Sequence, residues 1–261
     1  MADADALREV GTSAQALSVG SPVPPVVTGD DTVMSLVEHL SELRTRLFKS
    51  ILAVAVGGVV GFLLSEQVVE ILTRPLPLAE PLRVTGLGDA FAIRLRIALV
   101  IGVVLAMPVL LFQLWRFISP GLTPSEQRTV RPWIPLALFF FALGVSIAYF
   151  VLPFAVEFLL GFTTPELQPL ITAGPYFDFV TTMFLAFGLV MEFPILLFGL
   201  SRVGIVTSTR LAASRRYVIL GIAIFAATVT PGGDLVSPFT LGFTMYALFE
   251  LTILFIRRTG R

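Results

Sequence analysis

From Phe179 to Ser201 the chain carries a single charged side chain, Glu192, in an otherwise apolar stretch of membrane length. A helix rises ~1.5 Å per residue, so such a run crosses the ~30 Å hydrocarbon core of a bilayer. Backbone groups in lipid must be satisfied internally, and a helix does this. Glu192 lies ~15 Å along that helix from Arg202, near the middle of the layer. An acid there costs at least ~2.5 kcal/mol on insertion scales, and by default it faces a cavity, a partner or a transported species. The competing reading is a protonated Glu192 bonded to a neighbouring backbone carbonyl.

The rest of the chain is consistent with that constraint. Hydrophobic residues make up 56% of the 261 and charged ones only 14%, with a mean hydropathy of +0.90. Soluble domains carry ~25% charged residues, so the expectation is an all-α polytopic membrane protein. Six transmembrane helices are predicted, at about 47–64, 97–118, 133–156, 177–200, 217–230 and 238–256. The last two are short. Val218–Val229 and Phe239–Phe249 are twelve and eleven apolar residues long, joined by the turn Thr230-Pro231-Gly232-Gly233-Asp234. They read as a hairpin that thins the bilayer or is sheltered by protein, or as a re-entrant loop. Residues 1–33 are small and polar and read as a disordered cytoplasmic tail, followed by the membrane domain over 34–258 and a terminal 259–261.

Arginine and lysine set the orientation. Arg8, Arg44, Arg46, Lys49, Arg116, Arg128, Arg131, Arg202, Arg210, Arg215, Arg216, Arg257, Arg258 and Arg261 fall on one side, fourteen of eighteen. Arg74, Arg83, Arg94 and Arg96 fall on the other, all in the first loop. Both termini are therefore expected in the cytoplasm.

Polar constellations are few. Ser35 and Glu38 have the spacing of a capping box, while Leu36, Leu40, Leu43 and Leu47 share one helical face. Glu38, His39, Glu42 and Arg46 lie opposite, and Glu42 can pair with Arg46 at i,i+4 for ~0.2–0.5 kcal/mol. Glu126 is the only acid in the loop between the second and third spans, amid Arg116, Arg128 and Arg131. Its simpler reading is a first-turn acid on the next helix. The single histidine cannot form a His-x-x-x-His zinc pair, and no cysteine is available as ligand or nucleophile. No nucleophile elbow or phosphate loop occurs. No internal repeat is visible either, which weighs against transporter folds built on inverted repeats.

Taken in order, the motifs resemble the TatC family, the core receptor subunit of the twin-arginine protein translocase. His39-Leu40-x-Glu42-Leu43-Arg44-x-Arg46 opens the match, and Pro75-Leu76 matches the first outer loop. Pro108-Val109-Leu110-x-x-Gln113-x-Trp115-x-Phe117-Ile118-x-Pro120-x-Leu122 with Glu126 follows. Ala186-Phe187-Gly188, Glu192-x-Pro194, Arg216-Tyr217-Val218 and Thr230-Pro231-x-x-Asp234 complete it.

The resemblance implies six helices in a curved, glove-like arrangement in the cytoplasmic (inner) membrane, no enzyme activity, and no cofactor, metal or nucleic-acid partner. It implies a receptor for folded cargo bearing twin-arginine signal peptides, which recruits single-span partners of the TatA and TatB type, self-associates, and works on the proton-motive force. On that reading Glu42 and Glu126 accept the signal's guanidiniums, with Arg44, Arg46, Pro108, Gln113 and Phe117 around them. Glu192, Pro194, Pro231 and Asp234 contact partner helices, and Pro75 is structural. Pro108, Gln113 and Phe117 are expected on one face. The alternative is a proton-coupled transporter of small solutes, for which a mid-membrane acid is also natural.

Overall fold

The computed structural model describes residues 36–76, 82–124, 127–128, 131–164, 166, 170–202, 204, 206–230 and 234–258. Ser35, Glu126, Pro231 and the tail assigned to 1–33 therefore lie outside the described residues, as does the terminal 259–261. The described chain is helical: α1 Leu36–Leu63, α2 Ser65–Thr73, α3 Asp89–Ile118, α4 Trp133–Leu160, α5 Ala173–Val190, α6 Phe193–Arg202, α7 Ser208–Ala213, α8 Arg215–Val229 and α9 Val236–Arg258. Among the described residues, five stretches are long and apolar enough to cross a membrane, with α5 and α6 counted as one. The fifteen-residue α8 falls short of that length.

Residues 1–41 and 42–261 are separate compact units. In the first, the described helical turn holds Ser41, whose Oγ donates to Glu38 O at 2.8 Å.

α1 and α3 approach until their backbones touch. A Cβ on Gly57 would lie 2.7 Å from Gly102 O, and one on Gly61 would lie 2.6 Å from Ala98 O. Gly57-x-x-x-Gly61 thus faces Ala98-x-x-x-Gly102, the small-residue spacing by which bilayer helices gain contact where no hydrophobic force separates helix from lipid. Away from that seam, Leu47, Phe48, Ile51, Val56, Val59 and Leu63 are exposed, as lipid-facing positions should be.

The main core forms where α3, α4 and α5 meet around Ile97, Leu152, Val180, Met183 and Phe187. Gly144 of α4 sits against Phe187 O, so only glycine lets the helices close there. A second core gathers Leu197, Phe198, Leu211, Phe249, Ile253 and Ile256, with Trp133 stacked on Phe198 at 3.8 Å.

Within the second unit, α2 and the start of α5 are tied together as a cap. Tyr176 Oη donates to Leu72 O at 2.5 Å, pinning the end of α2 to the start of α5. Pro75 follows that end, half-buried, where a residue without an N–H stops a helix cleanly. Ala173 N donates to Arg83 O at 2.9 Å, and Arg96 pairs with Asp178.

Two expected spans differ in form. The fourth is not one straight helix over 177–200, because α5 stops at Val190 and α6 restarts at Phe193. Pro194 has no N–H to return to Val190 O and its ring disfavours a helical turn beneath it. The last helix is longer than its uninterrupted apolar run, extending 23 residues through Glu250. That acid is matched by a cation from α8, described below.

Candidate functional site

Glu42 and Arg46 are one turn apart on α1 and half-buried against α3. Arg46 donates through Nη2 and Nε to Glu42 Oε1 at 2.8 and 3.2 Å. Its third donor, Nη1, reaches Gln113 Oε1 at 3.2 Å. One guanidinium therefore ties the acid of α1 to the amide of α3, 67 residues away in sequence. The other carboxylate oxygen, Glu42 Oε2, is buried and accepts nothing among the described residues. A carboxylate has about four acceptor positions, so this acid retains capacity after neutralising Arg46. The leucines of the opposite face, Leu40, Leu43 and Leu47, are exposed, which fits the sequence reading of two faces.

Around that knot the expected grouping holds only in part. Gln113 is buried and Phe117, one turn on, is half-buried, whereas Pro108 is exposed. Five residues turn a helix by about 140° beyond a full circle, so Pro108 and Gln113 cannot share a face. This corrects the single-face expectation. Arg44 is exposed, two residues from each member of the pair and so on the far side of the helix. Glu126 lies outside the described residues, and its separation from Glu42 is not part of this geometry.

Glu192 occupies the break between α5 and α6. The backbone reroutes around it: Met191 N donates to Phe187 O at 3.2 Å and Glu192 N to Leu189 O at 3.1 Å, while Ile195 N and Leu196 N both reach Glu192 O at 3.1 Å. Its carboxyl is another matter. The side chain is buried, and Oε1 accepts no hydrogen bond among the described residues. The competing reading, a carboxyl bonded to a neighbouring carbonyl, finds no such bond for this atom. Pro194 is buried beside it. Leu189, Val190, Phe193 and Leu196 on either side of the break line an apolar groove of about 420 Å3, closed by Gly221, Ile222 and Phe225 of α8.

Asp234 opens α9. Its Oδ1 accepts from Ser237 N at 2.6 Å, satisfying one of the orphan donors at the helix start. Asp234 therefore caps the helix start through one oxygen, while Oδ2 is buried with no partner among the described residues.

One pairing was missed by sequence reasoning. Arg215, at the start of α8, grips Glu250 of α9 with Nε to Oε1 at 2.7 Å and Nη2 to Oε2 at 2.8 Å. Tyr246 Oη adds a donation at 3.1 Å. The signal was an acid interrupting an apolar run after a hairpin that begins with arginine. Among the described residues no group of three or more His, Asp or Glu side chains converges to hold a metal.

Membrane-length helices closed by glycine contacts, with the buried acid Glu192 between two of them, define an all-α polytopic membrane protein. The model of the family described as TatC, Sec-independent protein translocase protein, matches residues 38–243. The Sec-independent protein translocase protein TatC of Desulforapulum autotrophicum is 39% identical over 229 residues, covering 86% of this chain and 84% of that one. Its counterpart in Aquifex aeolicus is 36% identical, covering 84% and 93%. The crystal structure of the twin arginine translocase receptor TatC in DDM aligns with a TM-score of 0.75 at 35% identity, over 84% of this chain and 99% of that one. The chain belongs to the TatC family. It is a membrane component of Sec-independent protein translocation, and the small-solute transporter reading finds no support among these relatives.

Proposed function

We propose that this chain is the receptor that binds twin-arginine signal peptides, with Glu42 and Glu126 as acceptors for the two guanidiniums. The observation that carries this is Glu42: Arg46 occupies one oxygen, and the other is left inside the protein with an unused acceptor position. An incoming guanidinium can take that oxygen without displacing Arg46, in a charge-assisted bond stronger than a neutral one. Arg46 and Gln113 hold the carboxylate in place, Phe117 lies one turn beyond Gln113 on α3, and Pro108 and Arg44 face outward toward lipid and water. A lysine lacks the planar fork and is a poor substitute.

In this reading both termini are cytoplasmic, the protein resides in the inner membrane, and it catalyses no covalent chemistry. Glu192, with Pro194 opening the backbone beside it, offers a polar contact to a single-span partner of the TatA or TatB type. Asp234 and Pro231 meet the partner's end at the hairpin turn, and the proton-motive force drives movement. Self-association completes the complex.

The test is photocrosslinking in membrane vesicles between the full chain and signal peptides bearing Arg-Arg or Lys-Lys. The Arg-Arg signal should crosslink strongly, the Lys-Lys signal weakly, and Glu126→Ala should abolish the Arg-Arg product while the protein stays inserted. Equal products from both signals, or normal crosslinking to Glu126→Ala, would contradict the receptor reading.

A further inference from the structure

We infer that the groove between the end of α3 and the start of α4 binds the phosphate headgroup of an anionic phospholipid. The groove has a volume of about 650 Å3, and Phe112, Trp115, Arg116, Arg128, Arg131 and Ile134 line it. Three guanidiniums thus open onto one concave surface. The ion pairs among the described residues engage Arg46, Arg74, Arg94, Arg96 and Arg215, and no described carboxylate reaches Arg116, Arg128 or Arg131.

The wall carrying two of these arginines is built. Gln127 Nε2 donates to Ser119 O at 2.8 Å and to Leu122 O at 3.1 Å, fastening the connection back onto the end of α3. Gln127 N donates to Thr123 O and Arg131 N to Gln127 O, and Arg128 and Arg131 both line the groove. Arg116 stands over the Phe112 ring, 5.8 Å from its centroid.

The groove is also graded. Phe112 lies one turn deeper along α3 than Arg116, and Ile134 lies deeper along α4 than Arg131, each by ~5 Å. Cationic donors therefore occupy the rim and apolar surface lies below them, at a level where Trp115 suits the membrane interface. A phosphodiester fits the rim while its acyl chains follow Phe112 and Ile134. A free anion would use the rim alone. The grading is what selects a lipid. Arg128 and Arg131 follow Glu126 in sequence, so a phosphate held there would also neutralise cations that come just after the acid proposed to receive arginines. The lipid assignment does not depend on that proposal.

The chain contains two tryptophans, and Trp133 is stacked in the second core while Trp115 lines the groove. In full-length Trp133→Phe protein reconstituted in phosphatidylcholine vesicles, a minor fraction of lipid is replaced by dibrominated phosphatidylglycerol or by dibrominated phosphatidylcholine. Trp115 should be quenched as though the anionic lipid were enriched on the order of a hundredfold, since each of the three juxtamembrane arginines favours anionic lipid by about fivefold. Arg128→Gln should reduce that enrichment several-fold, and combining it with Arg116→Gln and Arg131→Gln should bring the two lipids to parity. Native mass spectrometry of the unsubstituted protein should show retained phosphatidylglycerol adducts that the triple variant loses. Equal quenching by the two lipids, or an enrichment that survives the triple substitution, overturns the assignment. So does loss of the enrichment on adding inorganic phosphate but not chloride at equal ionic strength, which would make free phosphate the ligand.

Discussion

Glu42 on α1 and Glu192 in the α5–α6 break are both acids withdrawn in part or in full from the surface, yet their surroundings differ in kind. Glu42 comes with its cation one turn away and an amide from α3 behind it, so the cost of shielding its charge is offset within the chain. Glu192 is buried where the helix breaks, with an acceptor atom that nothing described satisfies. Unpaired polar groups in an apolar medium are expensive. The first acid is a stable fixture with spare acceptor capacity. The second is an unpaired group that a polar residue on another helix would satisfy.

The comparison can be broken most severely at the seam beneath Glu42. A Cβ on Gly102 would lie 2.7 Å from Gly58 N and 2.8 Å from Val54 O, so Gly102→Leu must push α1 off α3. Overpacking of this kind costs about 1–3 kcal/mol and sometimes more. We expect a lowered Tm in detergent and loss of any crosslink between positions 46 and 113. The α5–α6 break, outside that seam, should keep its protection from hydrogen exchange.

Next in size are two substitutions of opposite sign. Glu192→Leu removes an unpaired acid from the apolar layer and should raise stability by about 1–3 kcal/mol. Partner crosslinking near α5 and α6 should fall in the same variant. Glu42→Leu strands Arg46 and should lower stability by about 1–2 kcal/mol, less than for a fully buried pair because both side chains are only partly buried. Chemical denaturation of both variants checks the signs; equal signs would erase the distinction. A smaller effect is expected at the hairpin, where Asp234→Ala loses the bond to Ser237 N and costs about 1 kcal/mol. Asp234→Asn keeps the acceptor and should be close to neutral in the same assay.

Much of this was legible in the sequence because bilayer physics is one-dimensional. Apolar length marked the helices, and the i,i+4 spacing of Glu42 and Arg46 announced their pairing. Pro194 carried the signal for the break at Met191–Glu192, but the length of the apolar run from Phe179 favoured a single straight span. The spacing of Gly57, Gly61, Ala98 and Gly102 was present too, though small residues announce a contact without naming the partner helix. Rotational phase was the least readable. Nothing local tells that Gln113 turns inward to Arg46 while Pro108 turns out, or that Arg215 reaches an acid 35 residues later. Those facts belong to tertiary packing, which fixes how each helix is rolled about its axis.

The most direct test is a double-mutant cycle between Glu42→Gln in this chain and arginine→lysine in the signal peptide, read as binding affinity in vesicles. Contact between that carboxylate and a signal guanidinium predicts a coupling energy of about 1–3 kcal/mol, the lysine peptide losing little further when Glu42 is neutralised. Strictly additive losses would mean that the two groups never meet, and would contradict the account.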